Sequence, residues 1–174
     1  MDGPPGDPLL SGLAAGRDEA FATLYDRDGA ALFRVAVALL GCRADAEDAV
    51  QEVFVGLAQA GASLAAVENL RAYLFTALRH AAAKTAARRR ADRRRPFPDA
   101  LAAPEPRTPS DERLERALAA LPANRREVIV LKIDGGLTFR EIAAVLGVGP
   151  NTAASRYRYA LAELRDALGG TADD

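Results

Sequence analysis

Three groups of residues in this chain are spaced so that they could do chemistry together, and the chemistry is that of charged recognition. Asp45, Asp48 and Glu52 lie three and four residues apart, which on a helix makes one acidic stripe with Gln51 beside it. Such a stripe suits a basic partner helix. Between Lys84 and Arg95 stand Lys84, Arg88, Arg89, Arg90, Arg93, Arg94 and Arg95 against the single acid Asp92. A local run of that density suits a polyanion. Near the C-terminus, Asn151, Thr152, Ser155, Arg158 and Tyr159 are hydrogen-bonding residues on one side of a helical pattern, the types that reach base edges and phosphates.

Enzyme chemistry has no foothold. No nucleophile with a base, phosphate-cradling glycine loop or metal cluster is visible around His80, Cys42, Gly135 or Gly136, so the chain is read as a non-enzyme without cofactor or metal. Asp45, Glu47 and Asp48 do not make a metal site, because Glu47 projects away from the other two and no histidine completes the set. The single cysteine rules out an internal disulfide framework, and Leu39, Leu40 and Gly41 mark it as a small hydrophobe at a helix end. The net charge is −1 and only Lys84 and Lys132 among the 23 basic residues are lysines, so the nucleic-acid signal is local rather than global. With no apolar leader and no run of about eighteen apolar residues, a cytoplasmic protein without membrane insertion is expected.

The elements that must carry these groups read as helices throughout. Thr138 and Glu141 form a capping box, Leu137 and Ile142 a hydrophobic staple, and Gly147 stands where a helix would take its left-handed residue. The chain restarts at Pro150 or Asn151. Ala153, Tyr157, Ala160, Leu161, Leu164 and Leu168 then give the second helix its buried face, and the pair reads as a DNA-binding helix-turn-helix. Upstream, Met1 to Pro8 reads as a mobile leader. A helix is expected from Asp18 to Gly41 with Gly29 as a weak point, another over about Asp45–Leu57, and a loop over Gly61–Val67. A long helix then runs from about Glu68 into the arginines. Pro96, Pro98, Pro104, Pro106 and Pro109 mark a linker. Ser110 is expected to cap a helix over Leu114–Leu121, which Pro122 ends, and Arg125–Ile133 makes the next. The expected fold is all-α: two small helical domains, 9–95 and 110–168, on a flexible tether at 96–109.

DAEDAVQEVF over Asp45–Phe54, the segment LRAYLFTALRHAAAKTAARRR, the proline-rich linker and LPANRREVIVLKIDGGLTFREIAAVLGV follow one another in an order that resembles a group IV, or extracytoplasmic-function (ECF), bacterial sigma factor. The resemblance implies that the first domain is sigma region 2, docking Asp45, Asp48, Gln51 and Glu52 on the β′ clamp helices of RNA polymerase and opening the promoter minus-10 element. Tyr73, Arg79, His80, Lys84 and Arg88 would then line the melted strand, with Tyr73 as the plane on which an unstacked base rests. It also implies that the second domain is region 4, on the β flap, reading the minus-35 element with Asn151, Thr152, Ser155, Arg156, Arg158 and Tyr159. An anti-sigma protein is the regulator it implies.

The chain departs from the family pattern at several of these positions. Tyr73 replaces the usual tryptophan, His80 a common asparagine, Lys84 a frequent aspartate or asparagine, and Ala154 a basic residue that Arg156 and Arg158 would replace. Base preference therefore cannot be copied from the family. The competing reading is a stand-alone helix-turn-helix regulator of duplex DNA, in which the Asp45–Phe54 motif and the arginine-rich segment have no role.

Overall fold

The computed structural model describes residues 7–92 and 109–169, and among these every regular element is helical. The order is α1 (Pro8–Ala14), α2 (Asp18–Leu40), α3 (Arg43–Ala60), a 3₁₀ turn (Gly61–Ala66), α4 (Leu70–Asp92), α5 (Pro109–Ala120), α6 (Ala123–Ile133), α7 (Phe139–Leu146) and α8 (Pro150–Gly169). Residues 93–108, which hold most of the expected linker, lie outside the described residues.

Helices α2, α3 and α4 form the first bundle by closing three apolar stripes on one another. Leu24, Leu32 and Val35 of α2, Ala49, Val53 and Leu57 of α3, and Leu74, Phe75 and Leu78 of α4 are all buried. Each large side chain so removed from water contributes about 1.5–3 kcal/mol. α2 runs unbroken through Gly29, which is buried against the Tyr25 ring, so the glycine is a packing position and not a weak point. Gly61–Ala66, expected as a loop, is a 3₁₀ turn whose Leu64 is buried in the core. Arg43–Ala66 is long and apolar enough to cross a membrane by length and composition. Its apolar side, Ala46, Ala49, Val50, Val53, Leu57 and Leu64, is the side buried in this core.

The short α1 has no counterpart in the sequence expectations. The Asp7 carboxylate accepts from the Leu9 amide at 2.9 Å, Pro8 opens the helix and Leu13 is fully buried. Asp7 and Pro8 therefore cap a helix rather than end a leader. Seven residues are too few to declare themselves by periodicity.

The second bundle is α5–α8. α5 begins at Pro109, so Ser110 lies inside the helix rather than capping one at Leu114. Pro122 ends α5 and sits at the N-cap of α6, which starts at Ala123, two residues before the expected Arg125. The capping box is formed in full: Thr138 Oγ1 accepts from the Glu141 amide at 3.2 Å and Glu141 Oε2 from the Thr138 amide at 2.7 Å. Leu137 and Ile142, the staple pair, are both fully buried. Gly147 closes α7 with φ 65°, a left-handed conformation that strains any other L-residue. Pro150 takes the first position of α8, and the Ala153 amide donates to the Gly149 carbonyl, which settles the restart.

The two bundles are docked. One apolar core runs from Leu13 through Phe75 and Leu78 into Leu131, Leu137, Ile142 and Val145.

Candidate nucleic-acid interface

Helix α4 carries two different faces. Tyr73, His80, Lys84 and Arg88, spaced seven, four and four apart, share one exposed stripe. Asn69 fixes where the helix begins, its Oδ1 accepting from the Ala72 amide at 2.8 Å. Arg71, Phe75 and Arg79, four and four apart, lie on the opposite face and meet the second bundle. Arg79 pairs with Glu127 of α6 at 2.5 Å. It is thus separated from the four residues expected to share its role.

Helix α3 lies along α4 and lends it two of its acids. Asp45 pairs with Arg89 at 2.9 Å and Glu52 with Lys84 at 2.6 Å, while Asp48 and Gln51 stay exposed. Glu47 turns to Arg43 at 3.1 Å. Asp45, Glu47 and Glu52 are thereby each paired with a different cation. Among the described residues no cluster of histidine, cysteine, aspartate and glutamate could hold a metal ion. A groove of about 770 Å³ between α2 and α3 is lined by Tyr25, Phe33, Val50, Gln51 and Phe54 among others.

On α8, Ala153, Ala160 and Leu164 are buried, and Asn151, Thr152, Arg158 and Tyr159 are exposed on the far side. Ser155 and Arg156 are half-buried. The Arg158 guanidinium donates to Ser155 Oγ at 3.2 Å. Arg158 is one turn on from Ala154, so its charge stands next to the place where the expected basic residue is missing. Tyr157 faces inward and meets Phe139 edge to face, with ring centroids 5.5 Å apart, joining α7 to α8 at a fixed angle.

An exposed polar recognition helix, a basic stripe on α4 and an acidic α3 have counterparts in known proteins. Residues 24–94 match the family model for Sigma-70 region 2, and residues 111–164 that for Sigma-70, region 4. The ECF RNA polymerase sigma factor SigL of Mycobacterium tuberculosis is 35% identical over 167 residues, covering 90% of this chain and 93% of that protein. This chain belongs to the ECF sigma factors. Among solved structures, CnrH in complex with the cytosolic domain of CnrY superposes with a TM-score of 0.72 at 29% identity, covering 94% of this chain and 97% of that one. The sigma factor RpoE of Bartonella quintana, in complex with the anti-sigma factor NepR, gives 0.67 at 26% identity over 87% of this chain and 98% of that one. As a sigma factor, the protein gives RNA polymerase its promoter specificity in transcription initiation.

In this sigma factor the contact between regions 2 and 4 is polar at its rim and apolar at its centre. Arg71 Nη2 donates to the Gly135 carbonyl at 2.6 Å and Nη1 to that of Gly136 at 3.4 Å, while Nε lies 3.4 Å from Asp28. Arg34 donates to the Asp134 carbonyl at 3.1 Å. Gly135 is buried so closely that a Cβ there would fall 2.7 Å from the Leu131 carbonyl and 3.2 Å from the Phe75 ring. Burial raises the Asp134 carboxyl above its ordinary pKa despite the nearby Arg34 charge. Burial also acts to raise Glu141, yet the Thr138 hydrogen bonds, the Arg71 charge and a hydrogen bond from Asn69 outweigh it and hold the group below the ordinary range.

None of Asp28, Arg34, Arg71, Glu127 and Asp134 stands out as a functional residue in the sequence. One signal was present. Asp28 falls four residues from both Leu24 and Leu32, on the core stripe of α2, and is 2% exposed. An acid at a core position requires a cationic partner, here Arg27 at 2.8 Å and Arg71 at 3.4 Å, both reaching in from partly exposed positions.

Proposed function

We propose that this sigma factor meets core RNA polymerase through the acidic face of α3, the melted minus-10 strand through the outer stripe of α4, and the minus-35 element through α8. In this reading region 2 occupies 9–95 and region 4 occupies 110–168, with 96–109 between them. Asp48 and Gln51 offer the first contact to the β′ clamp helices, with Asp45 and Glu52 beside them. Tyr73 stacks an unpaired base, while His80, Lys84 and Arg88 follow the displaced strand, stacking contributing about 1–3 kcal/mol per base. Arg79 joins that set once region 4 moves off it. Asn151 and Thr152 sit at the start of α8 for phosphate, and Ser155, Arg156, Arg158 and Tyr159 follow along its length.

The observation that carries this reading is the two-faced α4: the basic and aromatic stripe is exposed while the opposite face packs against region 4. A stand-alone helix-turn-helix regulator has no use for that stripe or for the acidic α3. The protein acts in the cytoplasm with polymerase and is not itself an enzyme. The two solved relatives, each in complex with a protein partner, support control of this chain by an anti-sigma partner as well. The test is footprinting on a promoter selected with reconstituted holoenzyme. Protection of two elements by holoenzyme and of neither by the free chain is expected. Tight protection of one duplex site by the free chain alone would favour the regulator instead.

A further inference from the structure

The recognition surface of region 4 extends beyond α8. Tyr159 is 62% exposed, the highest exposure among the large apolar and aromatic side chains of the described residues, yet its ring is not left to itself. The Arg125 guanidinium, from the first turn of α6, lies over that ring at 5.4 Å from its centroid. Arg125 is in turn ion-paired to Glu163, one turn further along α8 than Tyr159. Arg125 is thereby held between the Tyr159 ring and the Glu163 carboxylate. An exposed tyrosine ordinarily samples several staggered rotamers. A planar cation resting on its face, itself tethered at a second point, selects one of them, which is the preorganisation that recognition requires.

We propose that Arg125 is a positioning residue for minus-35 recognition, holding Tyr159 so that its ring edge packs on a thymine methyl in the major groove. This rests on α8 being the minus-35 helix. Tyr159 lies seven residues from Thr152 and four from Ser155, on the exposed side of the helix, so its ring reaches past the first two turns along the groove. A thymine methyl is the apolar feature the groove offers there. Glu163 keeps Arg125 from leaving the ring for a phosphate, and so serves orientation rather than charge.

The test uses holoenzyme made with the full-length chain and a promoter in which each minus-35 thymine is replaced in turn by deoxyuridine, which removes only the methyl. For the wild type, one substitution is expected to weaken binding about 5- to 10-fold, the low end of a lost base contact. Tyr159→Ala and Arg125→Ala are each expected to abolish that response, and the double variant to lose nothing further. Tyr159→Phe keeps it, and Arg125→Lys restores part of it. Thermal midpoints equal to the wild type show that folding is not the cause, and if Arg125→Ala fails to fold, Arg125→Gln carries the same test. Sequence-selective binding whose methyl response survives in Arg125→Ala overturns this proposal while leaving the assignment of α8 intact. Absence of any minus-35 selectivity in the wild type overturns both.

Discussion

Arg71 of region 2 donates to the carbonyl of Gly135 in region 4 at 2.6 Å, and the same guanidinium leans on the buried carboxylate of Asp28. Two positions far apart in sequence are thereby held by one side chain, with Phe75 packed beside the glycine. Arg71→Ala removes the cation from Asp28 and the donor from two carbonyls. Breaking a buried pair costs about 3–5 kcal/mol; because Arg71 is one-third exposed and Arg27 still faces Asp28, about 2 kcal/mol is expected. Thermal denaturation and small-angle scattering together check this. A lower midpoint with a larger radius of gyration is predicted, and an unchanged radius contradicts the docking role.

Protonation of two carboxyls should move the docking in opposite directions. Asp134 has its pKa raised in the folded chain, so ionising it costs stability; that cost disappears as pH falls through the raised value. Glu141 has its pKa lowered, so its contribution is present above the ordinary glutamate range and is lost as pH falls through the lowered value. Urea unfolding of wild type and Asp134→Asn across mildly acidic pH isolates the first effect. The variant is expected to be the more stable near neutrality, with the difference shrinking toward acid. A difference that grows toward acid contradicts the assignment.

The capping box and the glycine after α7 should each be separable from DNA chemistry. Thr138→Ala is expected to cost about 1 kcal/mol, and Gly147→Ala about 1–2 kcal/mol for the left-handed conformation. Hydrogen exchange should show Phe139–Leu146 opening sooner in both, with α2–α4 unchanged.

These caps were legible in the sequence because they are local: Thr138 and Glu141 find each other within one turn, whatever the rest of the chain does. The acidic and basic stripes were legible for the same reason. What each stripe faces was not. Nothing in the spacing of Lys84 or Arg89 reveals that Glu52 and Asp45 lie across from them, since that depends on how α3 and α4 pair. Arg79, which the family resemblance groups with Tyr73 and His80, faces the other way here, to Glu127, and no local spacing reveals that partner. α1 escaped notice because a seven-residue helix stabilised by one cap and one buried leucine leaves almost no periodic signal.

The pairing of Lys84 with Glu52 predicts an asymmetry along the α4 stripe. Arg88→Ala should weaken holoenzyme binding to promoter and reduce the salt dependence by about one counterion. Lys84→Ala should do less, because its charge is already partly neutralised. Both partners are well exposed, so their coupling should be about 1 kcal/mol or less in a double-mutant cycle. Glu52→Gln should therefore steepen the salt dependence if core binding is retained. Equal effects of Arg88→Ala and Lys84→Ala would contradict this arrangement.

In the proposed reading of α8 as the minus-35 helix, Arg158 takes the place of the basic residue missing at Ala154. Arg158→Ala is expected to cost about 1–3 kcal/mol in discrimination at a single base pair. Ser155→Ala, which removes the hydroxyl that holds it, should cost less at that same base pair. Selection from a randomised minus-35 library by each holoenzyme checks both, and loss of affinity spread evenly over all sequences would assign Arg158 to phosphate instead.

As a sigma factor, this chain confers promoter selectivity on a polymerase that lacks it. In vitro transcription from a promoter library with purified core polymerase, with and without the protein, measures that directly. Initiation concentrated on a defined minus-35 and minus-10 pair, abolished by charge reversal at Asp48 and strongly reduced by Tyr73→Ala, is the predicted result. Transcription no more selective than that of core polymerase alone would contradict it.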